Sequence, residues 1–295
     1  MKLKFLSVSI TLAAGLLGAF SMEATARTMI QNKGSDTLVN VAQAWAEEYQ
    51  KIKPDVAVAV TGGGSGTGIA AMINGTVDLA NSSRSMKDKE IAAAKKNGIE
   101  PKEHTVGFDA LAIFVHKSNP MTSITIKQLA DIYGDGGSIA NWSKLGVTVP
   151  GCQGNQIIVV SRQNNSGTYV YFQEAILGEG KDFRLGTKDM HGSKDVIDLV
   201  EKTPCAIGYS GLAYDSPLVK KLPVAKDDKA TPIEPNMDNA IKKLYPIARP
   251  LFMYTKGEPT GEVKTYLDWI MTDIGQCIIQ EKGYAPVRPV KCAAK

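Results

Sequence analysis

Histidine and cysteine are scarce: three histidines and four cysteines in 295 residues. The histidines (His104, His116, His191) stand far apart and no CxxC pair occurs, so a zinc centre has no local framework. No basic run is interleaved with aromatics and the formal charge is only +4, which argues against a nucleic-acid partner. Beyond the N-terminus nothing approaches the ~20 consecutive apolar residues that a membrane-spanning helix needs. Fixed-period repeats and low-complexity tracts are also missing.

What is present begins with a three-part leader. Lys2 and Lys4 supply a positive start, FLSVSITLAAGLLGAF an apolar core, and Ala24 to Ala26 small residues at a cleavage point. The expectation is a cleaved signal peptide over 1–26 and a mature chain starting near Arg27. No cysteine follows the cut, so lipid attachment is not expected. Removing Lys2, Lys4 and Glu23 leaves a charge of +3. All four cysteines fall in the exported part, and an oxidising compartment suggests the sequence-local pairs Cys152 with Cys205 and Cys277 with Cys292.

Strand and helix patterns alternate along the chain. Leu38, Val41, Trp45 and Tyr49 share one helical face that Pro54 stops, and DVAVAVT alternates as a strand. GIAAMINGT reads as a helix, VDLANSS as a strand, and MKDKEIAAAKKNGI as a helix closed at Gly98. Further on, NQIIVVSRQNNSGTYVYFQEAIL repeats strand, polar turn and helix, and GEVKTYLDWIMTDIGQCIIQEKGY reads as one amphipathic helix. The alternation predicts an α/β architecture with largely parallel strands. Two lobes are expected, 27–110 with 247–295 and 111–246, joined by crossovers near Phe108 to Phe114 and Tyr245 to Leu251.

Ligands in such sheets sit at the carboxyl ends of strands. Four polar turns gather there. GSDT offers Ser35, Asp36 and Thr37; VTGGGSGTGIAAM, Val60 to Met72, offers Ser65; NSSRSM offers Ser83 and Arg84; SRQNNSGT offers Arg162, Ser166, Gly167 and Thr168. A glycine loop at a helix start exposes N–H donors suited to an anion. It is not a P-loop, because Ile69 follows Gly68 where lysine is required, and neither GxGxxG nor GxSxG fits any register. Arg162 has the planar fork that matches two oxygens of a tetrahedral anion. Asp109, in GFDAL at a predicted crossover, needs a partner if buried, and Arg162 and Arg84 are the candidates. Each turn also has a plain alternative as a helix cap or a surface ion pair.

In this order and spacing, behind a leader, the four segments together with the KGY and PV of Lys282 to Val287 resemble the periplasmic phosphate-binding proteins of ATP-driven phosphate uptake. The resemblance covers essentially the whole mature chain. It implies a two-lobe periplasmic binding protein fold of type II, each lobe a mixed, mostly parallel sheet flanked by helices, with two hinge crossovers. It also implies a monomeric, non-enzymatic protein without cofactor, which captures phosphate between its lobes in the periplasm and delivers it to an ABC permease. Carried onto this sequence, the family's ligand groups fall on Ser35, Asp36, Thr37, Ser65, Arg162, Ser166, Gly167 and Thr168.

One position departs from the family. Better-known members carry an aspartate in the third turn that accepts the ligand's proton, and here Ser83 stands there, followed by Arg84. The acceptor is therefore expected elsewhere, with Asp109 first and Asp36 second. A carboxylate accepts only, so it pairs with a P–OH but meets sulfate acceptor to acceptor. Such a clash costs ~1–3 kcal/mol, or roughly 5- to 150-fold in discrimination. Alternatives are a binder of another tetrahedral oxyanion, sulfate or arsenate, and a secreted phosphatase using Ser65 or Ser166. The second lacks a base or metal motif.

Overall fold

The computed structural model describes residues 27–292, so the leader expected over 1–26 lies outside the described residues. In chain order the elements are β1 (Thr28–Gly34), α1 (Val39–Ile52), β2 (Val56–Thr61), α2 (Ser65–Ile73), β3 (Leu79–Ser82), α3 (Asp88–Lys96), β4 (Lys102–His116), β5 (Ile124–Thr125) and α4 (Ile126–Tyr133). There follow β6 (Ile158–Arg162), α5 (Gly167–Phe172), β7 (Lys188–Met190), α6 (Ser193–Lys202), β8 (Ala206–Gly211), β9 (Val219–Leu222), β10 (Val224–Ala225), α7 (Met237–Ile241), β11 (Ala248–Thr255), α8 (Gly261–Ile270) and α9 (Asp273–Glu281).

A nine-stranded sheet runs in the order β2-β1-β3-β11-β4-β8-β6-β7, with β9 also on β4. Pairing is parallel at both ends, where β1 lies beside β2 and β3, and β6 beside β7 and β8. In the middle it is antiparallel, because β4 and β11 run against each other and against their neighbours. The expectation of largely parallel strands is met outside that centre. A strand of 15 residues, β4 pairs with β11 from Lys102 to Ala110 and with β8 and β9 from Leu111 to His116. One strand thus carries two partner sets end to end.

Helices cover the sheet through the apolar stripes visible in the sequence. Leu38, Val41, Trp45 and Tyr49 are all buried, packed with Tyr266 and Trp269 of α8 and Ile278 of α9. Trp45 also satisfies its one polar atom by donating Nε1–H to the Gly275 carbonyl at 2.7 Å. Around β6 and β8 a separate core stacks Phe172 on Tyr209 with 3.9 Å between ring centres, while Val196 and Val200 of α6 pack with Val160 in another cluster. The apolar stretch expected as one C-terminal helix is broken at Thr272. Its hydroxyl donates to the Trp269 carbonyl at 2.6 Å and accepts the Gly275 N–H at 3.4 Å, ending α8 and capping α9.

Both expected disulfides form, Cys152–Cys205 and Cys277–Cys292. Among the described residues no helix is long and apolar enough to cross a membrane.

Candidate functional site

The turns after β1, β2, β3 and β6 meet where the antiparallel centre of the sheet joins its parallel flanks. Each follows the carboxyl end of a strand, and the strand register sets their approach: Gly34 lies beside Asn81, so the Ser35 N–H reaches the Asn81 carbonyl at 2.9 Å. Gly64, at φ +93°, turns the glycine loop so that Ser65 opens α2. A side chain at Gly64 would meet the Asn165 carbonyl, its would-be Cβ lying 2.6 Å away.

The hydroxyls form a contiguous buried group. Ser35 Oγ donates to Ser83 Oγ at 3.0 Å, Ser65 Oγ accepts the Ser83 N–H at 3.1 Å, and Thr37 and Thr168 pair through Oγ1 at 2.9 Å. Ser166 caps α5, accepting the N–H groups of Thr168 and Tyr169 at 3.2 and 3.4 Å. Gly167 sits so close to the serines that an added Cβ would lie 2.2 Å from Ser65 Oγ and 2.7 Å from Ser83 Oγ. Among the described residues, the backbone N–H groups of Asp36, Thr37, Ser65 and Gly167 find no acceptor in the protein. Unmet donors in so buried a place suit a ligand that only accepts.

Arg162 is almost wholly buried and held on several sides. Its Nη2 donates to Asp36 Oδ2 at 3.0 Å and to the His191 carbonyl at 2.6 Å, and its Nη1 donates to Ser193 Oγ at 3.0 Å. Burial pulls the guanidinium's pKa down, and the Asp36 charge opposes that. Asp36 in turn accepts the Gly63 N–H on Oδ1 at 2.8 Å, which ties the first turn to the glycine loop. A carboxylate oxygen has two acceptor sites, so each Asp36 oxygen keeps capacity for another donor.

Two of the candidates lie differently from the sequence reading. Arg84 turns away from the serine hydroxyls and forks onto Glu90, Nη1 to Oε2 at 2.8 Å and Nη2 to Oε1 at 2.7 Å. The Glu90 carboxylate also accepts the Lys87 N–H at 2.8 Å, so it anchors Arg84 at the start of α3. Asp109 is buried, and the partner that burial requires is neither Arg162 nor Arg84. It is Arg249, directly opposite on β11, whose Nε and Nη2 reach Asp109 Oδ2 at 3.1 and 2.8 Å. Asp109 Oδ1 takes the Leu212 N–H at 3.1 Å. Burial raises the Asp109 pKa, with the Arg249 charge pulling it back.

Arg249 was missed in the sequence, although a lone arginine in the apolar strand YPIARPLFMYT was the available signal. Its Nη2 also donates to Thr37 Oγ1 at 3.3 Å and Thr168 Oγ1 at 3.1 Å, and its Nη1 to the Ser83 carbonyl at 3.2 Å. The Tyr171 ring lies 5.5 Å from its guanidinium carbon. Tyr214, Tyr284 and Asn165 were missed as well. The Tyr214 hydroxyl donates to the Asp36 carbonyl at 2.6 Å, Tyr284 donates to the Thr37 carbonyl, and Asn165 accepts the Gly66 N–H at 2.9 Å while donating to the Gly63 carbonyl at 3.0 Å. Tyr214 and Tyr284 come from distant parts of the chain and carry no local motif, whereas Asn165 stands inside SRQNNSGT, next to Ser166.

The PBP superfamily domain matches residues 21–273. The phosphate-binding protein PstS of Pseudomonas aeruginosa is 34% identical over 100% of this chain and 98% of its own. That of Bacillus subtilis is 31% identical over 88% of this chain and 80% of its own. Among solved structures, a phosphate ABC transporter substrate-binding protein with bound phosphate from Clostridium perfringens superposes with a TM-score of 0.78 at 30% identity, covering 88% of this chain and 100% of that one. An ABC-type phosphate transport receptor from Vibrio cholerae gives 0.69 at 28% identity, over 88% and 100%. The four converging turns and these full-length relatives together place the chain in the PBP superfamily, and within it in the family of the phosphate-binding proteins PstS.

Proposed function

We propose that this chain is a high-affinity binding protein for inorganic phosphate that delivers it to an ABC permease. The observation that carries the reading is the set of unmet N–H groups of Asp36, Thr37, Ser65 and Gly167 beside the hydroxyl cluster and Arg162. Hydrogen-bond donors dominate this set, and one fixed guanidinium supplies charge. The phosphate-bound relative from Clostridium perfringens supports the choice of anion.

Ligand groups in this reading are Ser35, Thr37, Ser65, Ser83, Arg162, Ser166, Gly167 and Thr168, with Asp36 as the acceptor of the phosphate proton. Asp36 takes that role because each of its oxygens keeps an acceptor site, whereas Asp109 Oδ2 already takes two Arg249 donors and the guanidinium stands between Asp109 and the threonine hydroxyls. Arg84 holds α3 through Glu90 and does not touch the anion.

The segments 27–110 with 247–295 and 111–246 act as two lobes that open about β4 and β11 to admit and release phosphate. The protein works as a monomer in the periplasm after loss of residues 1–26, and it binds without turning over its ligand. Unfolding the purified protein, dialysing away bound anion, refolding and measuring uptake of radiolabelled phosphate tests the reading. Saturable tight uptake is expected; refolded protein that takes up none contradicts it.

A further inference from the structure

Arg249 occupies an unusual place for a buried cation, since its Nη2 contacts Asp109 Oδ2 and both hydroxyls of the Thr37–Thr168 pair. We propose that Arg249 is a positioning residue that fixes the hydrogen-bond polarity of that pair, so that its receiving hydroxyl offers the bound anion a hydrogen and no lone pair. The proposal rests on the phosphate reading above.

A guanidinium nitrogen of this kind carries two hydrogens and accepts nothing. At Nη2 one is directed to Asp109, 2.8 Å away, and the other is shared between Thr168 Oγ1 and Thr37 Oγ1 at 3.1 and 3.3 Å. Each threonine oxygen therefore has a lone pair engaged. The hydroxyls lie 2.9 Å apart, so one donates to the other, and the receiving oxygen has both lone pairs occupied. Its own hydrogen has no acceptor among the described residues, beside the unmet N–H groups of Thr37 and Gly167. A ligand oxygen that accepts fits there, whereas a P–OH pointed at that hydroxyl would meet hydrogen against hydrogen. The ligand's proton is thereby steered away from that hydroxyl and toward Asp36, whose two oxygens each keep a lone pair.

Asp109 completes the device by neutralising Arg249, so that the guanidinium acts through the hydroxyls and adds no second free charge to the site. The pair also joins β4 to β11 at directly opposed positions, which holds Nη2 in register with the two threonines.

The test is a double-variant cycle on the full chain. Arg249→Met alone leaves Asp109 buried and unpaired, so it is made with Asp109→Asn, and Arg249→Lys serves as a second variant that keeps the charge but not the planar fork. Thr37→Val is combined with each. In the parent chain Thr37→Val is expected to weaken phosphate binding roughly tenfold, and in the Arg249→Met, Asp109→Asn background to cost little more, because the hydroxyls there are free to reorient. Arg249→Lys is expected to show the same loss of coupling. Equal cost of Thr37→Val in all backgrounds overturns the positioning role. A parent chain that fails to bind phosphate at all instead overturns the reading on which it rests.

Discussion

Arg162 and Asp36 meet at 3.0 Å across 126 residues of sequence, joining the turn after β6 to the turn after β1. The contact places the site's fixed cation beside a carboxylate that retains free lone pairs. An anion site with a carboxylate in it is repulsive to every anion except one that brings a proton. Asp36→Asn is therefore expected to lower phosphate affinity while raising that of sulfate, and to compress the preference for phosphate by roughly 5- to 150-fold. Arg162→Ala, in contrast, should weaken both anions by about 10- to 150-fold, because it removes charge and not proton reading. Competitive titration of the two variants separates these patterns.

Gly167 leaves no room for a side chain where the turns after β2, β3 and β6 meet. The Cβ of Gly167→Ala would stand 2.2 Å from Ser65 Oγ and 2.7 Å from Ser83 Oγ, so the turns after β2 and β3 must draw away from the turn after β6. The variant is expected to keep its circular dichroism spectrum and lose phosphate affinity by at least about tenfold, since several donors move together. Calorimetry on the refolded variant reads this directly.

The disulfides differ in the loops they close. Cys152–Cys205 spans 53 residues and Cys277–Cys292 spans 15. Chain entropy gives about 4 kcal/mol for the first and about 3 kcal/mol for the second. Replacing Cys277 and Cys292 by serine should lower stability in urea by about that smaller amount without changing phosphate affinity, because neither residue approaches the anion donors. Replacing Cys152 and Cys205 should cost more.

Acid sensitivity is expected at α3. Burial alone would raise the Glu90 pKa, but hydrogen bonds from Arg84 and the Lys87 N–H, with their charges, outweigh it and hold the carboxyl below its usual 4.5. A depressed folded-state pKa contributes stability above the unfolded value, and that contribution disappears as pH falls through the folded one. Unfolding measured from pH 6 downward should show a loss of stability beginning near about pH 4.5 that is smaller in Glu90→Gln. An identical acid limb in that variant would remove Glu90 from the account.

Much of the molecule was legible because local rules governed it. Val41, Trp45 and Tyr49 form the buried face of α1 with Leu38 just before it, and the turns holding Ser35, Ser65, Ser83 and Arg162 sit at strand ends as alternation required. What stayed hidden depended on tertiary register. Asp109 was legible only as a carboxylate that needs a partner if buried, and that partner, Arg249, is set by the β4–β11 pairing between residues 140 positions apart. Arg84 was drawn to the site by its neighbour Ser83, and only the fold shows Glu90 taking it. The break at Thr272 was hidden inside an apolar pattern that continues on both sides of it, although Thr272 and Asp273 are good residues for starting a helix.

A cradle dominated by donors, with Asp36 reading the ligand's proton, must prefer phosphate to sulfate. Calorimetric titration of the anion-stripped protein with phosphate and, separately, with sulfate at neutral pH tests it most directly. Tight phosphate binding with sulfate weaker by more than about tenfold is the predicted result. Equal affinity for the two anions would contradict it.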